Sequence, residues 1–305
     1  MPNTSKLILY ASYQVGENLP GYVRFALRHL AETGFHVVLL TNKRKLSRET
    51  LDFLKKQEIE LFLTENHGFD FGMWRRYLKT CTEGGLQSLD RLLLVNDSIV
   101  YYKNCFREFI RRAEASSADV ISLTENNEVR RHLQSFFLYL KQPALGAFYL
   151  HLMETPEQTN FYDVVHKLEI GLSATFQEAD LQMEALFHTR RTALFAYPEL
   201  IEQGAGFIKR KLLQRRFNFR EKVFFIRHKG YNALNANYIR MIRNAGIAED
   251  FREEWFPKPA EGALRHMADI LWERPFQIVG WPILRTAIKA KYRILGRKLE
   301  GEEYK

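Results

Sequence analysis

Two short stretches of this chain carry residue types suited to an activated, anionic substrate. The first is Glu65-Asn66-His67-Gly68-Phe69-Asp70-Phe71-Gly72-Met73-Trp74-Arg75. Two glycines bracket an acid where a helix begins. A Gly-rich turn brings backbone close to a ligand, and the helix N-terminus offers open N–H groups to an anion. A plain Asp70 N-cap, with Gly68 in a tight turn, is the structural alternative. The second stretch is Asn96-Asp97-Ser98, directly after the apolar run Arg91–Val95. A carboxylate just past a buried strand can hold a divalent metal or a sugar hydroxyl. A turn-forming Asx cap explains the same residues.

The elements that must position these stretches follow from periodicity. Leu7–Tyr10, Phe35–Leu40, Ile59–Leu63, Arg91–Val95 and Val120–Leu123 read as strands. Helical spacing fills the gaps at Leu19–Thr33, Ser47–Gln57 (opened by a Ser N-cap), Phe71–Cys81 and Phe106–Ala115. Strands alternating with helices predict an α/β fold with a mainly parallel sheet. Unbroken apolar runs fit strands buried on both faces. Ligands of such sheets bind beyond the carboxyl ends of the strands. Further along, Leu133–Leu140 reads as one more strand, and Ala144–Met153 and Phe161–Ala179 as helices.

The 305 residues are 46% hydrophobic and 27% charged, which excludes a wholly disordered or collagen-like chain. Two cysteines, Cys81 and Cys105, with no CxxC, exclude a disulfide framework or a cysteine-rich zinc site and fit a reducing cytoplasm. No run approaches the ~20 apolar residues of a membrane span. Net charge is +9, which implies an anionic partner. The charge is concentrated: between Gly206 and Asn244 stand eleven Lys/Arg and one acid, Glu221. The expected division is 1–215 for the α/β domain and 216–305 for a basic, mostly helical extension.

In order, ENHGFDFGMWRRYL, LLLVNDSIVY, HLQSFFLYL, HKLEIGLS and ELIEQGAGFIKRKLL resemble the rhamnan synthesis F family, over about Lys6 to Leu213. These are α-L-rhamnosyltransferase-like proteins of bacterial polysaccharide assembly. The resemblance implies a GT-A glycosyltransferase fold, a nucleotide-sugar donor and an inverting transfer. It places Asn66, Gly68, Asp70 and Gly72 at the turn flanking the donor sugar. It places Asp97 at the acidic position that meets the diphosphate, usually through Mg²⁺ or Mn²⁺, and Glu169 at the catalytic base. Asp97 stands alone between Asn96 and Ser98, where GT-A enzymes commonly have two aspartates, so a metal is less well provided for.

Other donor-site candidates rest on position and charge. Tyr10, Ser12 and Asn42 end the first two strands, where GT-A enzymes hold base and ribose. Lys209, Arg210, Arg227 and His228 can meet a diphosphate in place of a metal. Gln134 and Ser135 border the expected acceptor site. The default donor is a dTDP-linked rhamnose, and the acceptor a growing glycan on a lipid carrier. In Trp281–Lys298 an apolar face of Trp281, Leu284, Ile288, Tyr292 and Leu295 adjoins a basic stripe. That pattern suits a helix lying on an anionic membrane, and equally one packed on the transferase domain. The resulting expectation is a cytoplasmic protein peripheral on the inner face of the membrane. Two other readings compete: a non-catalytic carbohydrate-binding or scaffolding protein, and a nucleic-acid binder. No zinc-finger, RRM, KH or dsRBD pattern supports the latter.

Overall fold

The computed structural model describes residues 5–214, except 15, 43–44, 66, 82–87, 128 and 190, together with Glu221. The chain divides into two compact units, Met1–Arg210 and Lys211–Lys305. In the second, the Lys211 ammonium meets the Glu221 carboxylate at 2.6 Å.

The first unit runs β1 (Lys6–Ser12), α1 (Gly21–Ala31), β2 (His36–Thr41), α2 (Arg48–Lys56), β3 (Glu60–Leu63), α3 (Phe69–Thr80), β4 (Arg91–Asn96), β5 (Ile99–Tyr101) and α4 (Phe106–Ala115). It continues with β6 (Val120–Ser122), β7 (Glu125–Asn126), β8 (His132–Leu133), β9 (Phe137–Lys141) and α5 (Gln142–Glu154). Next come α6 (Phe161–Asp163), a π-helical stretch (Val164–Ile170) and α7 (Gly171–Glu178). The unit closes with β10 (Met183–Ala185), α8 (Tyr197–Glu202) and β11 (Phe207–Lys209).

The main sheet has the order β10-β6-β9-β4-β1-β2-β3. β3, β2, β1 and β4 are parallel, and so are β6 and β10. β9 alone runs antiparallel, between β4 and β6. This is the expected α/β, GT-A-like class: a mainly parallel sheet flanked by helices. The consecutive side chains Leu7 to Ser12 of β1 and Leu92 to Asn96 of β4 are all buried. Burial on both faces explains their unbroken apolar runs. One core cluster joins Leu7, Leu9, Val38, Leu40, Leu92 and Leu94 to Trp74 of α3 and Phe148 of α5. Each such side chain contributes about 1.5–3 kcal/mol, so a register slip that expelled them would be prohibitive. The expected Ser47 N-cap is present: its Oγ accepts from Thr50 N at 3.2 Å.

The expected single strand Leu133–Leu140 is two strands, β8 and β9. Gln134 interrupts the run. Its backbone N–H donates to Thr124 O, its carbonyl accepts from Ser122 Oγ, and its side-chain Oε1 accepts from Thr124 Oγ1 and Ala193 N. These bonds tie Gln134 to Ser122 of β6 and to the loop residues Thr124 and Ala193 in place of a straight ladder.

Candidate active site

The parallel pairing of β1 with β4 brings their carboxyl ends side by side, with Ala11 opposite Asn96. The next residues out are Ser12 and Asp97. The Asp97 backbone N–H donates to Ala11 O at 3.1 Å. Its carboxylate Oδ2 accepts from Ser12 Oγ at 2.9 Å and from Arg210 Nη1 at 2.8 Å. Gln14 Nε2 donates to Ser12 Oγ, and Gln14 N donates to Asn42 Oδ1 at 2.8 Å. Ser12 and Asn42, expected from strand ends alone, thus share one network with Asp97.

Arg210 reaches Asp97 because β11 pairs antiparallel with β5, setting Lys209 opposite Ile99. Arg210 N then donates to Ser98 O at 2.8 Å. The Arg210 guanidinium also donates to Tyr22 Oη at 2.6 Å. Lys209 Nζ lies 4.1 Å from the Phe136 ring centroid and 3.4 Å from Ser98 Oγ. Burial is the largest influence on Asp97 and pushes its carboxyl up, opposed by Arg210 and Ser12. Burial disfavours charge on Arg210 too, but the Asp97 carboxylate and Tyr22 outweigh it and hold the guanidinium above its usual range.

Asn96 faces the other way. Its Oδ1 accepts from Ser98 N and Ser98 Oγ at 3.1 and 2.6 Å, an Asx turn that shapes the Asn-Asp-Ser bend. Its Nδ2 donates to Asp70 Oδ2 at 2.5 Å. Asp70 lies in the first turn of α3, after Gly68 at φ +74° and Phe69 at φ +57°. Gly68, not Asp70, occupies the N-cap position, while Asp70 Oδ1 accepts from Phe71 N. A left-handed Phe costs about 1–3 kcal/mol. Gly72 is obligatory here, since a Cβ would fall 2.0 Å from His67 O. Arg76 clasps the turn from behind, donating to Thr64 Oγ1, Glu65 O and His67 O and pairing with Glu157.

Glu169 arrives from the π-helical stretch. Its Oε1 accepts from Ser135 N at 2.7 Å. It is close enough to Asp70 for the two charges to repel. Burial first and Glu169 second raise Asp70 from the usual 3.8 to about 6, against hydrogen bonds from Asn96 and Phe71. π-helical turns are rare and occur often at functional sites. Here the last wide turn closes with Gly171 N on His166 O. The next carbonyl, Lys167 O, is 3.1 Å from His151 Nε2 on α5. A carbonyl only accepts, so Nε2 carries a proton, while Nδ1 lies 2.8 Å from Thr175 Oγ1, whose hydroxyl also reaches Gly171 O at 3.2 Å.

Asp70, Asn96, Asp97, Ser98, Ser135, Glu169, Lys209 and Arg210 are therefore linked through direct contacts or mutual charge. Gly68 and Gly72 shape the turn that aims Asp70. Gln134 is committed to the loops described above. Tyr10, at the end of β1, is completely buried. Asn66 and His228 lie outside the described residues, as does Trp281–Lys298. Tyr22, Gln14, Phe136 and His151 were missed; each is an ordinary apolar or polar position by spacing.

A divalent ion asks for several convergent hard oxygen ligands. Among the described residues no three His, Cys, Asp or Glu side chains converge for one. Asp97 Oδ2 is engaged by Arg210 and Ser12, and Asn96 Oδ1 by Ser98. An ion at Asp97 would share its carboxylate with Arg210 and take its remaining ligands from phosphate and water.

Together these elements make a mainly parallel α/β protein with an acid–base cluster at the carboxyl edge of its sheet. The family model described as rhamnan synthesis protein F matches residues 37–242, more than half of the chain, and the chain belongs to that family. No curated protein matches it. Among solved structures it is similar to a glycosyltransferase involved in the glycosylation of the major capsid of PBCV-1. That match has 12% identity, 67% of this chain, 94% of that one and a TM-score of 0.36. It is also similar to S. aureus TarS, at 12% identity over 73% of this chain and 42% of that one, TM-score 0.37. A cytidylyltransferase from Leptospira borgpetersenii matches at 14% identity over 62% and 78%, TM-score 0.35. At these values the likenesses are too loose to define a fold, which rests on the strand order itself.

Proposed function

We propose that this chain transfers a sugar from a nucleotide-sugar donor to a hydroxyl of a growing bacterial surface polysaccharide, with inversion in a single displacement. The family's default donor is a dTDP-linked rhamnose. Glu169 is the general base. The acceptor O–H gives its proton to the Glu169 carboxylate as the acceptor oxygen bonds to the anomeric carbon. The anomeric C–O bond to the diphosphate breaks, and its electron pair leaves on the phosphate oxygen. Transition-state charge at the anomeric carbon is positive, and nearby carboxylates favour it. The leaving diphosphate is anionic and needs cationic neighbours. The observation that carries this reading is the meeting of Glu169 with Asp70 beside the Asp97–Arg210 pair, at the carboxyl ends of β1 and β4.

No helix among the described residues is long and apolar enough to cross a membrane. A lipid-linked acceptor would be met at the cytoplasmic face, with the segment Trp281–Lys298 resting on anionic headgroups.

The test is transfer by the full chain from a panel of nucleotide sugars, dTDP-rhamnose included, to isolated lipid-linked glycan. Anomeric stereochemistry of the product is read by NMR. An inverted linkage from one donor is expected. Binding of glycan without turnover of any donor would instead identify a carbohydrate-binding protein on this fold.

A further inference from the structure

The residue expected to carry a metal already faces a cation of the chain itself. Arg210 Nη1 sits 2.8 Å from Asp97 Oδ2, with the Tyr22 hydroxyl 2.6 Å from the same nitrogen. This is no loose surface pair. The Arg210 backbone is held to Ser98 O, and the preceding strand β11 is locked in register on β5. The guanidinium side chain is 26% exposed, and among the described residues only its Nη1 has partners. Nε and Nη2 remain as a fork. Such a fork matches the oxygens of a phosphate in a planar, two-point contact. Lys209 adds a second positive charge beside Ser98.

We infer that Arg210, oriented by Asp97 and Tyr22, takes the place of a divalent cation against a nucleoside diphosphate, so that donor binding by this chain needs no metal. The inference rests on the glycosyltransferase reading and deepens it. Asp97 then positions Arg210 and does not ligate an ion. A metal bound at Asp97 would have to share the carboxylate with the guanidinium, which already holds Oδ2.

The experiment is calorimetric titration of dTDP, UDP, GDP and CDP into the full chain, once in EDTA and once in excess Mn²⁺. At least one nucleotide is expected to bind, with nearly the same Kd in both. Arg210→Gln should weaken it by about ten- to a hundredfold, the usual worth of charge-assisted hydrogen bonds, without rescue by Mn²⁺. Binding that EDTA abolishes and Mn²⁺ restores would overturn the inference while leaving the donor reading intact. So would wild-type affinity in Arg210→Gln. Failure of every nucleotide in both buffers would overturn the donor reading, and this inference with it. The wild-type comparison stands whether or not the variant folds.

Discussion

Asp70 stores free energy that a single substitution releases. Its carboxyl is raised from 3.8 to about 6 by burial and by Glu169. A group whose pKa is higher in the folded chain supports folding fully below its unfolded pKa. That support is lost as pH rises through the folded value. Relative to its uncharged form, Asp70 therefore costs little below pH 4, grows destabilising between pH 4 and about 6, and is fully so above that. The full shift is worth about 3 kcal/mol, at 1.36 kcal/mol per tenfold. Asp70 keeps some exposure, so screening brings this to roughly 1–3 kcal/mol. Asp70→Asn removes the charge and keeps an oxygen for the Asn96 Nδ2 donor. One acceptor is lost with it, at a cost of about 1 kcal/mol. The variant should be no more stable than wild type at pH 4.5 and gain about 1–2 kcal/mol on it by pH 7.5. Urea unfolding at both pH values measures this. A stability difference independent of pH, or one that shrinks as pH rises, would refute the raised carboxyl of a buried Asp70 near Glu169.

Gly72→Ala drives a Cβ to within 2.0 Å of the His67 carbonyl, so it should cost about 3 kcal/mol. Gly204→Ala, at φ +72° but with open space around it, should cost about 1 kcal/mol; equal melting temperatures for the two would contradict the tight α3 entry. Asp97→Ala leaves Arg210 without its ion-pair partner and should abolish transfer while the far-UV spectrum is kept; wild-type turnover in that variant would remove Asp97 from the site. For Trp281–Lys298, six Lys/Arg at about 1 kcal/mol each near an anionic surface should pellet the full chain with anionic liposomes and release it in high salt. A chain ending at Glu273 that pellets equally well would show that another segment is the anchor.

The parallel sheet was legible because its strands are buried on both faces, and unbroken apolar runs such as Leu92–Val95 have few other uses. The Ser47 cap was legible because capping is local. β9 was visible as a strand but not as the antiparallel one, since direction depends on connections that no local pattern records. Its start was misplaced because Gln134 and Ser135 look like the polar phase of a strand, but Gln134 bonds the Thr124 hydroxyl and Ser135 N donates to Glu169. The acids Asp70, Asp97 and Glu169 could be named from residue type and family resemblance. The Asp97–Arg210 pair joins residues more than a hundred positions apart through the short strand β11, and only the β5 register reveals it. The π-helical stretch under Glu169 was invisible, because nothing in its sequence, Val-Val-His-Lys-Leu-Glu-Ile, separates a widened turn from an ordinary helical one.

Whether Glu169 takes the acceptor's proton is tested most directly by Glu169→Gln. Glutamine keeps the size and the oxygen that accepts from Ser135 N, but it cannot act as a base. Steady-state transfer and calorimetric donor binding are measured on the same preparation. A fall in kcat of about 10²–10⁴ is expected, with donor Kd unchanged. Wild-type kcat, or a defect accounted for wholly by weaker donor binding, would contradict it.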